Sequence, residues 1–223
     1  MMKITLIYPK TSWKFEKTPY PPLGLGYLAT VLQQNNWDVS LIDGQILKPE
    51  KYKQKLCDIN EKIIGISTTI KQIKETERIA KLIKEKNPKT VVVVGGPGIS
   101  VLNLQEVQNI DIVVKGEADN EIIKLLKEIQ TKKTLNKITK YPKVGNVILV
   151  NCKNPTNLDK IPYPSREILN LDKYLKIWKK NTNMTSTNMI SSRGCPYGCI
   201  FCDKNIAGRN FRARSAKNIV DEI

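Results

Sequence analysis

Cys195, Cys199 and Cys202, three of the chain's five cysteines, lie within the run Ser191-Ser192-Arg193-Gly194-Cys195-Pro196-Tyr197-Gly198-Cys199-Ile200-Phe201-Cys202. Thiolates bunched at C-x3-C-x2-C are soft ligands concentrated in one loop, suited to an iron–sulfur cluster or to zinc. A structural zinc site takes four protein ligands. The chain has no histidine, and Cys57 and Cys152 lie far upstream. Three thiolates instead suit a 4Fe–4S cluster with one iron left open to a small molecule. Gly194, Pro196 and Gly198 keep the run a loop, so that backbone can wrap a cluster without helical constraint. The plain alternative is three incidental thiols, which are rarely clustered in this way.

Something must carry that loop, and 223 residues with 40% hydrophobic content suffice for one large domain or two small ones. No apolar run reaches the roughly eighteen residues of a membrane span. The start, Met1 to Pro9, is too short and too strand-like for a secretory signal. Five cysteines with three in one motif make no disulfide framework, which leaves a reducing cytoplasm as the natural compartment. The formal charge of +16 is uneven: residues 131–223 hold 18 Lys/Arg against 6 Asp/Glu. A basic second part fits a nucleic acid, an anionic membrane surface, an acidic substrate, or simply a lysine-rich solvated surface. Lysine dominates and no aromatic-interleaved basic stripe occurs, so nucleic acid is not the favoured partner.

Along the chain, short apolar runs alternate with helical periodicity. Strands are expected at Lys3–Pro9, Asp38–Asp43, Ile63–Thr69, Thr90–Gly96 and Asp111–Lys115, the fourth buried on both faces because it is all valine. Helices are expected from Pro21 to Gln34, Lys48 to Asn60, Lys71 to Glu85 and Glu121 to Ile129. This alternation predicts an α/β fold with a five-stranded, parallel, doubly wound, flavodoxin-like sheet over residues 1–130. Its strand-to-helix loops then share one edge, where ligands bind. Those loops are Pro9–Tyr20, Asp43-Gly44, Ser67-Thr68-Thr69, Gly95-Gly96-Pro97-Gly98 and Gly116-Glu117, although plain turn chemistry also explains their residues. Gly24-Leu25-Gly26 is not a dinucleotide fingerprint, since the third glycine is missing. Residues 131–186 read as a linker with a strand at Val144–Val150 and an amphipathic helix at Leu171–Lys180. Residues 187–223 read as a strand at Thr187–Ser191, the cysteine loop, and a helix capped by Ser215. Arg209, Arg212 and Arg214 suit either an anionic ligand or acidic side chains nearby.

The cysteine spacing, with Phe201 before the third cysteine and Ser-Arg-Gly before the first, resembles the signature of radical S-adenosylmethionine enzymes. The resemblance implies that Cys195, Cys199 and Cys202 bind three irons of a 4Fe–4S cluster, and that Phe201 lies near the adenine of S-adenosylmethionine. Residues 1–130 resemble the cobalamin-binding domain that precedes many such domains. The likeness rests on Pro22-Leu23-Gly24-Leu25-Gly26-Tyr27-Leu28-Ala29, a Gly-Gly-Pro after the fourth strand and a Gly-Glu after the fifth. Ser67, Thr69, Gly95 and Gly96 match the later parts of the wider cobalamin motif and are the implied corrin contacts. The histidine of that motif has no counterpart, so a bound corrin would keep water, a weak side-chain neighbour or nothing below cobalt. Residues 157–164 and the Gly-Arg-x-Phe-Arg-x-Arg-Ser run at 208–215 are also similar to these tandem proteins.

The family resemblance implies radical chemistry such as cobalamin-linked methyl transfer on a small-molecule or lipid substrate, with a one-electron reductant such as flavodoxin or ferredoxin. A tRNA methylthiotransferase is a rival reading that suits the basic charge. That family, however, carries a second three-cysteine cluster in its amino-terminal domain, where this chain has only Cys57. A cobalamin- or metal-binding module without turnover is the non-catalytic rival. Only 28 residues follow Cys195, against about 250 for a (β/α)8 barrel. The sequence is therefore expected to be a fragment holding the first strand–helix unit of a TIM-type barrel, inactive alone.

Overall fold

In the computed structural model, residues 2–11, 18–132, 134–203 and 207–223 are described. The first strand, β1 (Met2–Tyr8), leads to α1 (Leu23–Gln34), β2 (Trp37–Asp43), α2 (Pro49–Cys57) and β3 (Ile63–Ser67). Then follow α3 (Ile73–Lys86), β4 (Val91–Gly95), β5 (Ile112–Lys115) and α4 (Ile122–Lys132). The five strands of the expected sheet are parallel neighbours in the order β2-β1-β3-β4-β5. Because successive side chains of a strand face opposite sides, the valines of β4 feed two cores at once. Val93 joins Ile4, Leu6, Leu25, Leu32, Leu125 and Leu126 under α1 and α4. Val92 and Val94 join Ile64, Ile66, Leu56, Ile79 and Ile83 under α2 and α3. Helices thus cover both faces, and the inner strands β3, β4 and β5 are near-continuous apolar runs, whereas β2 at the sheet edge alternates apolar with polar residues. The expected loop at Pro9–Tyr20 lies partly outside the described residues.

Among the described residues the sheet has seven strands, not five. After α4 the chain forms a hairpin, β6 (Lys143–Val144) and β7 (Val147–Asn151), about Gly145-Asn146. β7 lies parallel to β5, with Ile112 opposite Ile148. An uncovered edge at β5 would leave backbone donors and acceptors unpaired. β7 satisfies them while burying Val147, Ile148 and Val150 to within 1% exposure. The strand expected at Val144–Val150 therefore exists, broken by its turn, and extends the sheet beyond residue 130.

The strand expected at Thr187–Ser191 does not form. Residues 187–191 find no ladder among the described residues and are pinned instead by side chains: Asn188 Nδ2 donates to Pro21 O and Arg166 Nη2 to Asn188 O. The ladder begins one residue later, as β8 (Ser192–Arg193), and it pairs antiparallel with β9 (Arg212–Ala213). α6 (Ala216–Glu222) follows, capped as expected by the Ser215 side chain, which accepts from Asn218 N. The helix α5 (Leu171–Thr182) docks on the end of β2 through fully buried Tyr174, whose hydroxyl donates to Asp43 Oδ2 at 2.6 Å. Burial drives the Asp43 carboxyl above its usual range, against the opposing pull of that hydrogen bond.

Candidate functional site

The carboxyl ends of β3, β4 and β5 stop at Ser67, Gly95 and Lys115, and the backbone past them is shaped by residues that a side chain would block. Gly96 adopts φ 91° and ψ 174°, a region essentially reserved for glycine. A Cβ there would stand 2.7 Å from Thr68 O. The turn lets Gly98 N donate to Thr68 O, and Thr68 N donates to Gly95 O. The loops after β3 and β4 are thereby locked together.

Beneath this edge lies a cavity of about 440 Å³ between the sheet and helices α1 and α4. Ile4, Leu6, Val93 and Val114 form its sheet wall, and Leu25, Leu28, Ile122 and Leu126 its helical wall. An apolar slot with a few polar groups is the usual form of a small-molecule or cofactor site. Of the residues expected from the cobalamin motif, Ser67, Gly95 and Gly96 line this cavity. Thr69 does not. Its backbone N–H and its hydroxyl both donate to Gln72 Oε1, capping the short turn that precedes α3. The two glycines of α1 also divide. Gly24 lines the cavity, whereas Gly26 admits the 164–169 segment, since a Cβ there would lie 2.6 Å from Leu169.

The far wall comes from the cysteine-bearing segment: Ile190, Ser192, Arg193, Gly194 and Ala207 complete the cavity opposite Glu117, Ala118 and Asp119 of the loop after β5. The contact is ionic and buried. Arg193 Nη1 donates to Glu117 Oε2 at 2.9 Å and to Asp119 Oδ2 at 2.7 Å. Arg212 Nη2 donates to Glu117 Oε1 at 2.5 Å, and its Nη1 to Glu117 Oε2 at 3.1 Å. The four side chains are between 6% and 12% exposed. Burial works against the Arg193 charge, but Asp119 and Glu117 outweigh it and hold the guanidinium above its ordinary pKa. The guanidinium also lies 4.9 Å from the Tyr27 ring centre, a cation–π contact with α1. Arg214 pairs with Glu222, so Arg212 and Arg214 both answer to acids of this chain, while Arg209 is exposed. No sequence signal singled out Glu117 and Asp119 as cavity residues beyond the Gly-Glu that follows β5.

The cysteines themselves lie on the surface. Cys195, Cys199 and Cys202 are exposed, as are Tyr197, Ile200 and Phe201. Cys195 N donates to Gly208 O and Cys202 N to Cys199 O, the contacts that hold the loop's shape. Three thiols in one loop have the donor chemistry of an iron–sulfur site. Their side chains do not converge here: no group of three His, Cys, Asp or Glu among the described residues is close enough to hold a metal. Cys152 differs from the loop thiols. Burial, aided by the charges of Glu121 and Asp119, pushes its thiol up to about 12. No helix among the described residues is long and apolar enough to cross a membrane.

Comparison with known proteins places these features in context. Residues 17–126 match the B12 binding domain family. An uncharacterized methyltransferase of Pyrococcus horikoshii is 30% identical over the whole of this chain and half of its own. The anaerobic magnesium-protoporphyrin IX monomethyl ester cyclase of Rubrivivax gelatinosus is 29% identical over 92% of this chain and 38% of its own. The hopanoid C-3 methylase of Methylococcus capsulatus is 26% identical over 98% of this chain and 42% of its own. The chain thus spans half or less of the length of these relatives. The solved structure of the cobalamin-dependent S-adenosylmethionine radical enzyme OxsB, with aqua-cobalamin bound, superposes with a TM-score of 0.77 at 22% identity, over all of this chain and 31% of that one. At that identity the likeness shows the fold.

Proposed function

Residues 17–126 of this chain match the B12 binding domain family, and from that premise we propose that the chain is the cobalamin-binding and cluster-bearing part of a radical S-adenosylmethionine enzyme. One observation carries the reading. The cavity at the strand edge is closed jointly by the B12-binding domain and by the residues on either side of the cysteine loop. A cobalamin whose tail entered it would therefore lie against the stem of the loop that carries the thiols.

The residues fit a corrinoid in kind: an apolar slot for a ring-bearing tail, and a glycine-shaped rim at Gly95 and Gly96 that allows close approach. Ser67 Oγ is the hydroxyl at that rim. No histidine is present to ligate cobalt, so the residues lining the slot would serve to enclose and orient the cofactor. Cys195, Cys199 and Cys202 would hold three irons of a 4Fe–4S cluster, and Phe201 would lie near the adenine. Bound there, such a cluster supplies the electron for reductive cleavage of S-adenosylmethionine, and the expected reaction class is methyl transfer or related radical chemistry. The protein's part is to hold the two cofactors at a fixed separation and keep water from the shared cavity. A one-electron reductant such as flavodoxin or ferredoxin would feed the exposed face of the loop.

Anaerobic reconstitution tests this reading. The chain should take up about one 4Fe–4S cluster and shift the absorption spectrum of micromolar cobalamin. Cys195→Ala, Cys199→Ala and Cys202→Ala should each abolish iron uptake, and Cys57→Ala and Cys152→Ala should not. Iron content unchanged in the three motif variants, or no spectral change with cobalamin in a folded protein, refutes it.

A further inference from the structure

We propose that Glu117 is a positioning residue for the cysteine loop: its carboxylate, supported by Asp119, is the counter-charge without which the loop's two stems repel each other. The proposal rests on the reading of Cys195, Cys199 and Cys202 as cluster ligands, and it assigns the B12-binding domain a task beyond holding its own cofactor.

The argument begins with register. β8 and β9 are the stems on either side of the loop, and their ladder sets Arg193 directly opposite Arg212. Like charges facing each other across an antiparallel pair destabilise it, and this ladder has only two residues on each strand. Two guanidinium groups with side chains 12% and 9% exposed cannot shed that repulsion into water. Glu117 answers both. It receives Arg212 through two nitrogens and Arg193 through a third, while Asp119 takes the rest of Arg193. Two positive and two negative charges then balance within one buried cluster.

The geometry of the loop depends on that balance. Arg212 also donates to Pro155 O and Ala207 O, so Glu117 fixes the side chain that ties the returning stem to the rest of the chain. Immediately past Arg193, Gly194 has φ 84°, and a Cβ there would fall 2.0 Å from Asn210 O. The two stems are therefore pressed together at the mouth of the loop, where Cys195 N reaches Gly208 O. Glu117, Asp119 and Arg193 also line the cavity, so the same carboxylates face that cavity and pair with the stems of the cysteine loop.

Hydrogen exchange of the whole chain, without cofactors, is the test. In Glu117→Gln, the stem amides bonded across the loop's mouth, Cys195 N to Gly208 O and Arg214 N to Ser191 O, should exchange at least about tenfold faster, the lower end of what an unpaired buried charge produces. Amides in β3 and β4 should keep their protection. The double variant Glu117→Gln with Arg212→Gln removes one of the facing cations and leaves the Arg193–Asp119 pair intact. It should recover most of the lost protection, which a simple packing role for Glu117 would not allow. Iron uptake on reconstitution should follow the same order: wild type, then the double variant, then Glu117→Gln. Unchanged exchange in Glu117→Gln overturns the proposal. So does a double variant at least as open as the single one, even if the single change loosens the core as well. Failure of wild type to take up iron would count against the ligand reading instead, since the exchange contrast is read without iron.

Discussion

Replacing Gly95 by valine separates folding from cofactor binding. Gly95 ends β4 on the same face as Val93, and both line the cavity. A Cβ at this position would meet Val114 O at 3.5 Å and Val114 Cβ at 3.8 Å, ordinary contact distances. The backbone should therefore accept the change, and a β-branched residue suits a strand better than glycine by up to about 1 kcal/mol. The added carbons enter a slot of about 440 Å³. Crowding a fitted apolar pocket costs about 1–3 kcal/mol of binding, or roughly 10- to 200-fold in affinity. Cobalamin titration followed by absorbance should show that weakening, while thermal unfolding monitored by circular dichroism shows a midpoint equal to or above wild type. A folded variant that binds cobalamin as tightly as wild type would refute the placement of the cofactor in this cavity. Gly96→Ala is the contrasting case. Its backbone lies in a region that side chains avoid, and its Cβ would lie 2.7 Å from Thr68 O, so it should lose stability, by about 1–3 kcal/mol from backbone strain alone.

Brief treatment with iodoacetamide at pH 8 should label Cys57, Cys195, Cys199 and Cys202, all exposed, and spare Cys152, whose thiol is pushed up to about 12 by burial; peptide mass spectrometry reads the pattern, and early labelling of Cys152 would contradict it. Because the folded pKa of Asp43 is raised, the native state binds its proton more readily than the unfolded chain does. Its contribution to stability is therefore present in acid and falls as pH rises from the ordinary carboxylate pKa through the raised one. Denaturant titrations across acidic pH should show this in the difference between the two proteins, the stability of wild type relative to Asp43→Asn falling as pH rises through that window. Tyr174→Phe removes the 2.6 Å hydrogen bond and should cost about 1–3 kcal/mol near neutral pH, where the carboxylate is left short of a donor. With no histidine in the chain, the electron paramagnetic spectrum of a cob(II)alamin complex should lack splitting from a protein imidazole; a nitrogen signal that persists when the cofactor's own tail base is isotopically labelled would contradict this.

The local properties of this chain were legible from residue order. Apolar runs without alternation marked β3, β4 and β5, because a strand covered on both faces has no polar side to display. C-x3-C-x2-C marked a thiolate loop, because ligand type and spacing are local. The Ser215 cap was visible because it concerns four consecutive residues. The sixth and seventh strands were not assigned to the sheet, since the pairing of Ile112 with Ile148 depends on which edge is left open once the others have closed. Thr187–Ser191 has strand-like composition, but a strand needs a neighbour, and whether one lies alongside is a property of the whole fold. Thr69 matched a binding motif, yet the nearby Gln72 carboxamide claimed its hydroxyl. Above all, no spacing relates Glu117 to Arg193 and Arg212, which lie 76 and 95 positions away. Sequence supplied their charges; only the packing of the β8–β9 stems against the loop after β5 could make those charges one buried, balanced cluster.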